Sequence, residues 1–394
     1  MSEAAIPIST NVLPHLRLSE ATHRLAFLGA SGHWGRQMVE AGEPLPAAPE
    51  WSRERHCAEA IRLTAHSVPL RMEPDELLAG SSLYVEARWH QVPLAKISSI
   101  SHTTSDYSLG LRLGYDGMRE LIEERLASGA GDDRARDFWE CQLICLQAAC
   151  HWHERYRKHL REAIGWSQGA QQEHFERVLQ ACAEVPERAP RTFHEAVQAL
   201  WFMWEFQRVC GNWTGLGRVD EMLGPFLRED LAEGRLTLDE AREILAHFFI
   251  KGTEWRTGEG RSSGDAQNYQ NIILAGVDAD GNEVCNEITY LVLDIIEETR
   301  ISEFPVTVRL NAHTPEDLYR RTAEVMRLGG GVVAVYNEDV VIAGLVGLGL
   351  PERTARTFTN DGCWEILIPG RSNFSYHAFD CMGLLQQTHA VKGM

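Results

Sequence analysis

The sequence lacks the features of proteins that cross membranes or enter the secretory route. No apolar run approaches the ~20 residues that a bilayer-spanning helix needs, and the first thirty residues show no basic start followed by an apolar centre. Cysteine is also sparse for a disulfide-stapled domain, with nine residues scattered through 394. We therefore expect a cytoplasmic protein whose cysteines are mostly reduced and buried.

Positive charge is in short supply. The chain has 38 Lys and Arg against 56 Asp and Glu, which gives a formal net charge of -18. A surface of this sign repels phosphate backbones and anionic lipids, so we expect neither nucleic acid nor a membrane as a partner. Internal repeats and low-complexity tracts are absent as well, which excludes solenoid architectures.

What the sequence does contain is a pattern in two parts. Residues 1–190 read as helices and loops, with one long helix predicted over 137–162. From residue 191 onwards, helices alternate with short β-branched runs, which favours an α/β fold. The strands are predicted at 271–277, 304–310 and 331–337, and the helices that follow them at 286–299, 315–328 and 338–348.

Two glycine-rich stretches suggest ligand loops. In "LAFLGASGHWG", Gly29, Gly32 and Gly35 have a spacing that resembles a dinucleotide-binding turn, but no second buried strand ending in an acid follows, so an ordinary loop is favoured. "GVDADGNEV" resembles part of a calcium loop, yet its later ligand positions do not fit, and a hairpin turn is the better interpretation.

Metal-binding patterns are equally weak. His151, His153 and His159 lie on the predicted long helix without sharing a close face, so we expect a solvated helix surface there. Cys141, Cys145 and Cys150 do not have the spacing of an iron–sulfur triplet, which favours a helix with buried thiols. The sequence therefore predicts no metal site.

One cysteine stands apart, in "TNDGCWEILIPGR". The preceding Asn360, Asp361 and Gly362 favour a tight loop around Cys363. Glu365 follows two residues later. A lone cysteine is usually part of a core, but a loop that presents a thiol beside a carboxylate fills a core poorly. We interpret this pair as a candidate for chemistry.

Several segments around this pair carry a family likeness. In chain order they are "EPDELLAG", "GRVDEMLGPFLREDLAEGRLTLDEAREILAHFFIK", "QNIILAGVDADGNEVCNEITYLVLD", "FPVTVRLNAHTPEDL" and "GGGVVAVYNEDVVIAGLVGLGLPERTARTFTNDGCWE". Together they resemble the glycyl radical enzymes, the pyruvate formate-lyase superfamily, in its dehydratase and lyase branch. The likeness extends over most of the chain.

The resemblance implies a fold. It is half of a ten-stranded α/β barrel of the pyruvate formate-lyase type, with an N-terminal, mostly helical outer layer. Residues 1–190 would form the helical outer region, and residues 191–394 the first half-barrel with the cysteine on a finger loop, within one continuous domain.

The resemblance also implies roles for individual residues. Cys363 matches the cysteine that becomes a thiyl radical, and Glu365 matches the acid–base glutamate. His102 and Asp106, in "SHTTSDY", match a segment that helps to line the substrate cavity, with a plain polar loop as the alternative. Trp364 stands where pyruvate formate-lyase itself has a second cysteine, so acyl transfer from pyruvate is not expected.

The implied activity is elimination, by cleavage of a C–O, C–N or C–S bond in a small polar substrate under anaerobic conditions. No bound cofactor is expected. The glycyl radical would lie in a C-terminal part missing from this chain or on a separate chain, and a 4Fe–4S activating enzyme that uses S-adenosylmethionine would install it. The sequence after Cys363 lacks a glycine-radical segment, so we expect no turnover by the chain alone, and oligomerisation through exposed strand edges.

Two rival interpretations remain open. The first is a catalytically dead half-barrel that acts as a binding or scaffold protein. The second is a nucleotide-binding oxidoreductase that uses the glycines of "LAFLGASGHWG".

Overall fold

Helices dominate the first part of the chain. The computed structural model describes residues 17–46, 48–257, 270–374 and 380–392. Its first part comprises α1 (Glu20–Ala30), α2 (Arg53–Ser67), α3 (Val85–Arg88), β1 (Gln91–Val92), β2 (Ile97–Ser98), β3 (Ser101–Thr104), α4 (Tyr107–Ala127), α5 (Asp133–Trp166) and α6 (Ala170–Ala181). The long helix predicted over 137–162 is confirmed as part of α5.

Helices and strands alternate in the second part. It comprises α7 (Phe193–Val209), β4 (Trp213–Gly215), β5 (Gly217–Arg218), α8 (Val219–Ala232), α9 (Leu238–Lys251), β6 (Ile272–Ala275), α10 (Glu287–Thr299), β7 (Val306–Leu310), α11 (Glu316–Met326), β8 (Val333–Asn337), α12 (Glu338–Gly347), α13 (Glu352–Ala355), β9 (Thr359–Asp361), β10 (Glu365–Leu367) and α14 (Cys381–Lys392). The three strands and three helices predicted from sequence are confirmed, each within a few residues of its bounds.

The strands form a parallel array with five positions. β3 pairs parallel to β4, and β5, β6, β7 and β8 follow in that order, each parallel to its neighbour. Only Leu216 separates β4 from β5, so the two short strands occupy one position. β6 and β7 are buried along their whole length, as parallel strands covered on both faces are. The fold is therefore the expected half of an α/β barrel.

Local sequence signals explain where several helices begin. Thr237 and Glu240 form both hydrogen bonds of a capping box at the start of α9. At the start of α7, the Thr192 side chain accepts from the backbone N–H of Glu195, and the Glu195 carboxylate accepts from the backbone N–H of Arg191. One buried apolar core extends from Leu18 to Val333 through both parts of the chain, and a division at residue 190 stays a prediction.

Of the two glycine-rich stretches, the second takes the hairpin that the sequence favours, whereas residues 25–30 of the first belong to a helix and only residues 31–34 form a turn. Residues 20–30 form a helix rather than a strand, and the backbone at Gly29 and Gly35 packs tightly: a Cβ atom would lie 1.9 Å from Thr253 Oγ1 or from the Arg256 carbonyl oxygen, respectively. In "GVDADGNEV", Val277 and Glu283 form an antiparallel bridge, so the hairpin is confirmed.

The prediction for the histidines of α5 is wrong at one position. His153 is fully buried and lies 4.2 Å from the Phe202 ring, centroid to centroid, whereas His151 is exposed. His153 follows Ala149 by four residues and precedes Tyr156 by three, which puts it on the apolar stripe of the helix.

An apolar surface remains uncovered at the far end of the sheet. α12 consists almost entirely of apolar residues and glycines, yet the Val340 side chain is 65% exposed, and Leu348, which follows the helix, is 81% exposed. The adjacent strand β8 is the last strand of the parallel sheet and also carries exposed positions. None of the helices in the described ranges combines the length and the apolar composition of a membrane span.

Candidate active site

Cys363 lies at the tip of a hairpin. β9 and β10 pair antiparallel, with Asp361 opposite Glu365 and three residues between them. Gly362 and Trp364 both have positive φ angles, 56° and 77°, and the Trp364 N–H donates to the Asp361 carbonyl oxygen at 3.0 Å. The Cys363 side chain is exposed at the apex, so this turn presents the thiol as the predicted finger loop would.

Three polar side chains meet at this tip. A sulfur, nitrogen and oxygen atom from Cys363, His102 and Glu365 all lie within 4.8 Å of one another. His102 Nδ1 is 3.1 Å from Glu365 Oε1, and the two side chains are only 9% and 12% exposed. The second carboxylate oxygen, Glu365 Oε2, is buried and has no hydrogen-bond partner in the described part of the chain. The structure thus brings together three of the four predicted site residues.

His102 comes from a distant strand with an irregular backbone. Its φ angle is 55°, in the left-handed region that residues other than glycine seldom adopt. The pairing register of β3 with β4 shifts between Ser101 and Thr104. Bulges of this kind redirect a side chain and are common beside active sites. The irregular backbone at His102 thus lies at the point of β3 from which the imidazole reaches the hairpin tip.

Gly362 allows these side chains to approach. A Cβ atom built on it would lie 2.0 Å from His102 Nδ1 and 2.8 Å from Glu365 Oε2. Real contacts of carbon with nitrogen or oxygen are longer by well over half an ångström. Any side chain at this position would therefore displace the imidazole, the carboxylate or both.

Asp361 ties the hairpin to the sheet. Its carboxylate accepts the backbone N–H groups of Thr103 at 3.0 Å and Asn271 at 3.4 Å. The N–H groups of Gly215 and Gly362 also bond to it, yet burial outweighs all four and raises the pKa of Asp361 well above its usual range. The sequence pattern identifies Asp361 only as a turn former, and this anchoring role was missed because its partners are remote in sequence.

Other polar groups buried at the base of the hairpin were also missed. Asn271, Gln270 and Asn360 are fully buried, and their side-chain amides have no hydrogen-bond partners among the described residues. Tyr336 on β8 donates from its hydroxyl to the Trp364 carbonyl oxygen at 2.5 Å. Burial, followed by the nearby carboxylate of Glu365, raises the pKa of Tyr336 to about 12, so it stays a donor. The only sequence signal for these groups was that three amide residues lie within or beside short β-branched runs.

Asp106 lies outside the group at the tip. It is the N-cap of α4, where its side chain accepts the Leu109 N–H at 3.1 Å. It also lines a cavity of about 460 Å³ together with Thr104, Arg218 and Arg371. Its local hydrogen bond is the ordinary one for a capping aspartate. A contact between Asp106 and substrate stays a prediction.

The sequence is similar to those of known proteins. A sequence profile of the pyruvate formate lyase-like family matches residues 76–385. An isethionate sulfite-lyase of Nitratidesulfovibrio vulgaris is 29% identical over 285 residues, which are 68% of this chain and 34% of that protein. A (2S)-3-sulfopropanediol dehydratase of Klebsiella oxytoca is 25% identical over 299 residues, which are 73% of this chain and 36% of that protein.

The fold is similar to that of a solved glycyl radical enzyme from Archaeoglobus fulgidus, with a TM-score of 0.72 and 22% identity over 91% of this chain and 54% of that one. The chain thus spans about a third of the length of the curated relatives named above, and about half of that structure.

Proposed function

The chain belongs to the pyruvate formate lyase-like family, and from this premise we propose that it is the thiyl-bearing part of a glycyl radical enzyme of the lyase or dehydratase type. The observation that carries the proposal is the meeting of Cys363, Glu365 and His102 at the hairpin tip. Relatives named as a sulfite-lyase and a dehydratase share this family, and both names describe eliminations.

The first step needs an exposed sulfur. A glycyl radical, once installed, would supply only the removal of the hydrogen atom from the Cys363 thiol. The sulfur radical then takes a hydrogen atom from a carbon of the substrate, which restores the S–H bond and leaves a carbon radical. At the apex of the turn, the sulfur can reach a substrate held against the hairpin.

The second step needs a proton carrier beside that sulfur. As a base, Glu365 removes the proton from a hydroxyl group next to the carbon radical. The neighbouring C–O, C–N or C–S bond then breaks, and its leaving group takes the bonding pair and a proton. The product radical recovers a hydrogen atom from Cys363, so atoms and electrons balance. Because the sulfur and a carboxylate oxygen lie within 4.8 Å, both can act on adjacent atoms of one small polar substrate.

The hydrogen bond with His102 distinguishes the two oxygens of the Glu365 carboxylate. With Nδ1 protonated, the imidazole donates to Oε1 of the ionised Glu365 at 3.1 Å and fixes the carboxylate plane. The buried Oε2 is then the oxygen that handles the proton. We assign His102 a contact with substrate as well, as predicted from sequence.

For Asp106, a raised KM in Asp106→Asn with an unchanged free energy of unfolding would support substrate binding.

The uncovered surface of α12 and β8 fits the same proposal. A half-barrel leaves a strand edge and apolar side chains open, and Val340 and Leu348 are such side chains. We propose that the second half-barrel covers them, on the same polypeptide or on a separate chain. Without it, this surface would pair with a second copy of the chain, which sedimentation at increasing concentration would detect.

Radical reconstitution tests the function. The chain is combined anaerobically with a C-terminal glycyl radical portion, a radical activating enzyme and S-adenosylmethionine, and both the paramagnetic signal and turnover are measured. Cys363→Ala should keep the glycyl signal and lose turnover. Glu365→Gln should keep the signal and lose about two to four powers of ten in rate. Cys381→Ser, another exposed thiol, is the matched control and should change neither.

Turnover that survives in Cys363→Ala would refute the proposal. A complex that forms and acquires the glycyl signal, but turns over no elimination substrate, would favour the alternative of a half-barrel that serves as a binding or scaffold protein.

A further inference from the structure

The tip of the cysteine hairpin has a second property that the radical chemistry does not use. In its resting, closed-shell state it combines a thiol, an imidazole and a carboxylate, and one donor atom from each lies within 4.8 Å of the other two. These are the three side-chain types that bind zinc in proteins. We propose that Cys363, His102 and Glu365 form a binding site for a thiophilic divalent cation of the zinc type.

The spacing of the donors suits such an ion. Zinc binds sulfur at about 2.3 Å, imidazole nitrogen at about 2.0–2.1 Å and carboxylate oxygen at about 2.0–2.2 Å, so neighbouring donors of a tetrahedral site are about 3.3–3.8 Å apart. His102 Nδ1 and Glu365 Oε1 are 3.1 Å apart, and the sulfur lies within 4.8 Å of both residues' donor atoms. Small side-chain rotations therefore bring the three donors to ligand distances.

The surroundings supply what the ion needs. Glu365 Oε2 is buried and unpartnered within the described ranges, so this oxygen is available as a ligand, whereas binding through His102 Nδ1 would replace its hydrogen bond to Oε1. His102 and Glu365 are nearly buried, whereas Cys363 is exposed, which leaves a path from solvent on the thiol side. Three protein ligands leave the fourth position to water or to a hydroxyl of a small molecule.

Binding has consequences for protonation and for reactivity. The thiol must lose its proton to become a ligand, so binding releases a proton and strengthens as pH rises. A metal-bound thiolate has no hydrogen atom to give to a radical. Bound cation would therefore block the step assigned to Cys363. This inhibitory consequence rests on the proposed function, whereas the binding itself does not.

Cobalt is a suitable probe because it replaces zinc and is coloured. The purified chain is titrated anaerobically with Co²⁺, and the sulfur-to-cobalt charge-transfer band and the d–d bands of a tetrahedral site are followed. Zn²⁺ is then added to displace the cobalt, and its affinity and proton release are measured by calorimetry. We expect micromolar binding with one ion per chain.

Single-ligand variants test the assignment. Cys363→Ser should lose the charge-transfer band, and Glu365→Gln and His102→Asn should weaken binding at least as much as the roughly 10–100-fold that loss of an outer-shell partner costs. Cys381→Ser and Asp106→Asn are the controls and should bind as the parent does. The circular dichroism spectrum of each variant shows that it is folded.

The inference is overturned if the parent chain gives no tetrahedral cobalt spectrum, or if Cys363→Ser binds Co²⁺ as tightly as the parent. Because these measurements use no radical, they stand apart from reconstitution. A chain that binds zinc but never turns over keeps the metal site and loses the proposed function. An active reconstituted enzyme that Zn²⁺ does not inhibit refutes the inhibitory consequence, whereas the cobalt and zinc titrations decide the binding.

Discussion

Replacing Gly362 by alanine tests the packing that brings His102 and Glu365 together. The new Cβ would lie 2.0 Å from His102 Nδ1 and 2.8 Å from Glu365 Oε2. One of the two side chains must therefore move, and the 3.1 Å hydrogen bond between them breaks. Gly362→Ala should leave Cys363 in place and separate its two neighbours.

The cost has two parts. A residue with a Cβ in the left-handed region, here at φ 56°, costs about 1–2 kcal/mol. Loss of a hydrogen bond to a charged group adds about 1.5–3 kcal/mol. Gly129 has a φ of 68° and no neighbouring atom of the described residues within 4 Å of the built Cβ, so Gly129→Ala carries only the first part.

Two assays separate these parts. Urea unfolding gives the free energy of each variant, and we expect Gly362→Ala to be less stable than Gly129→Ala by about 1.5–3 kcal/mol. Cobalt titration reads the site itself: Gly362→Ala should lose affinity, and Gly129→Ala should not. Equal unfolding free energies with unchanged cobalt affinity would refute the close approach of these side chains.

Other substitutions probe the supports of the site and the outer helices. Asp361→Ala strands the backbone N–H groups that its carboxylate accepts; counting about two of them at ~1–3 kcal/mol each, unfolding should become easier by about 2–6 kcal/mol. Asp220 is a similarly buried carboxylate at the opposite end of β6. Asp361→Asn and Asp220→Asn should lower the free energy of unfolding by similar amounts, but only Asp361→Asn should speed amide exchange at Gly362–Trp364. Arg309→Met leaves the Glu338 carboxylate buried without its partner and should cost about 3–5 kcal/mol in the same unfolding assay. Burial opposes the charge of Glu187, but the contacts with the neighbouring histidine and arginine outweigh it and lower its pKa from 4.5 to about 2. The contribution of Glu187 to the free energy of unfolding, up to ~3 kcal/mol, is complete above pH 4.5 and is lost as pH falls towards 2. The free energies of unfolding of the parent and of Glu187→Gln should therefore converge in acid.

Much of the fold could be predicted because its signals are local. The apolar runs of β6 and β7 depend on neighbours in the sequence, and each was predicted close to its place. The half-barrel followed from the family resemblance and the order of these elements. His153 was placed wrongly even though its stripe was readable, because a polar residue type outweighed the spacing from Ala149 and Tyr156.

The residues of the candidate site also fall into two groups, those that the local sequence identifies and those that it does not. Cys363 and Glu365 belong to one hairpin, so the turn chemistry of their own segment was enough to single them out. The link from Asp361 to Thr103 spans 258 residues, and the one from Glu365 to His102 spans 263. No local pattern reports such pairs, and for His102 only the family likeness supplied a reason to look.

The difference between contacts local to the hairpin and contacts with remote residues helps to distinguish a functional site from one that has lost its function. A chain can keep the Cys-x-Glu pair simply by keeping a hairpin, because both residues are local to it. The geometry that the proposed chemistry needs depends on Gly362, which leaves room for the imidazole, and on Asp361, which anchors the hairpin to β3, β4 and the start of β6. Drift in a dead half-barrel would fall first on these supports, since a buried carboxylate and a left-handed glycine are costly and gain nothing without the site. Their presence here, around an intact thiol and carboxylate, favours catalysis over a scaffold.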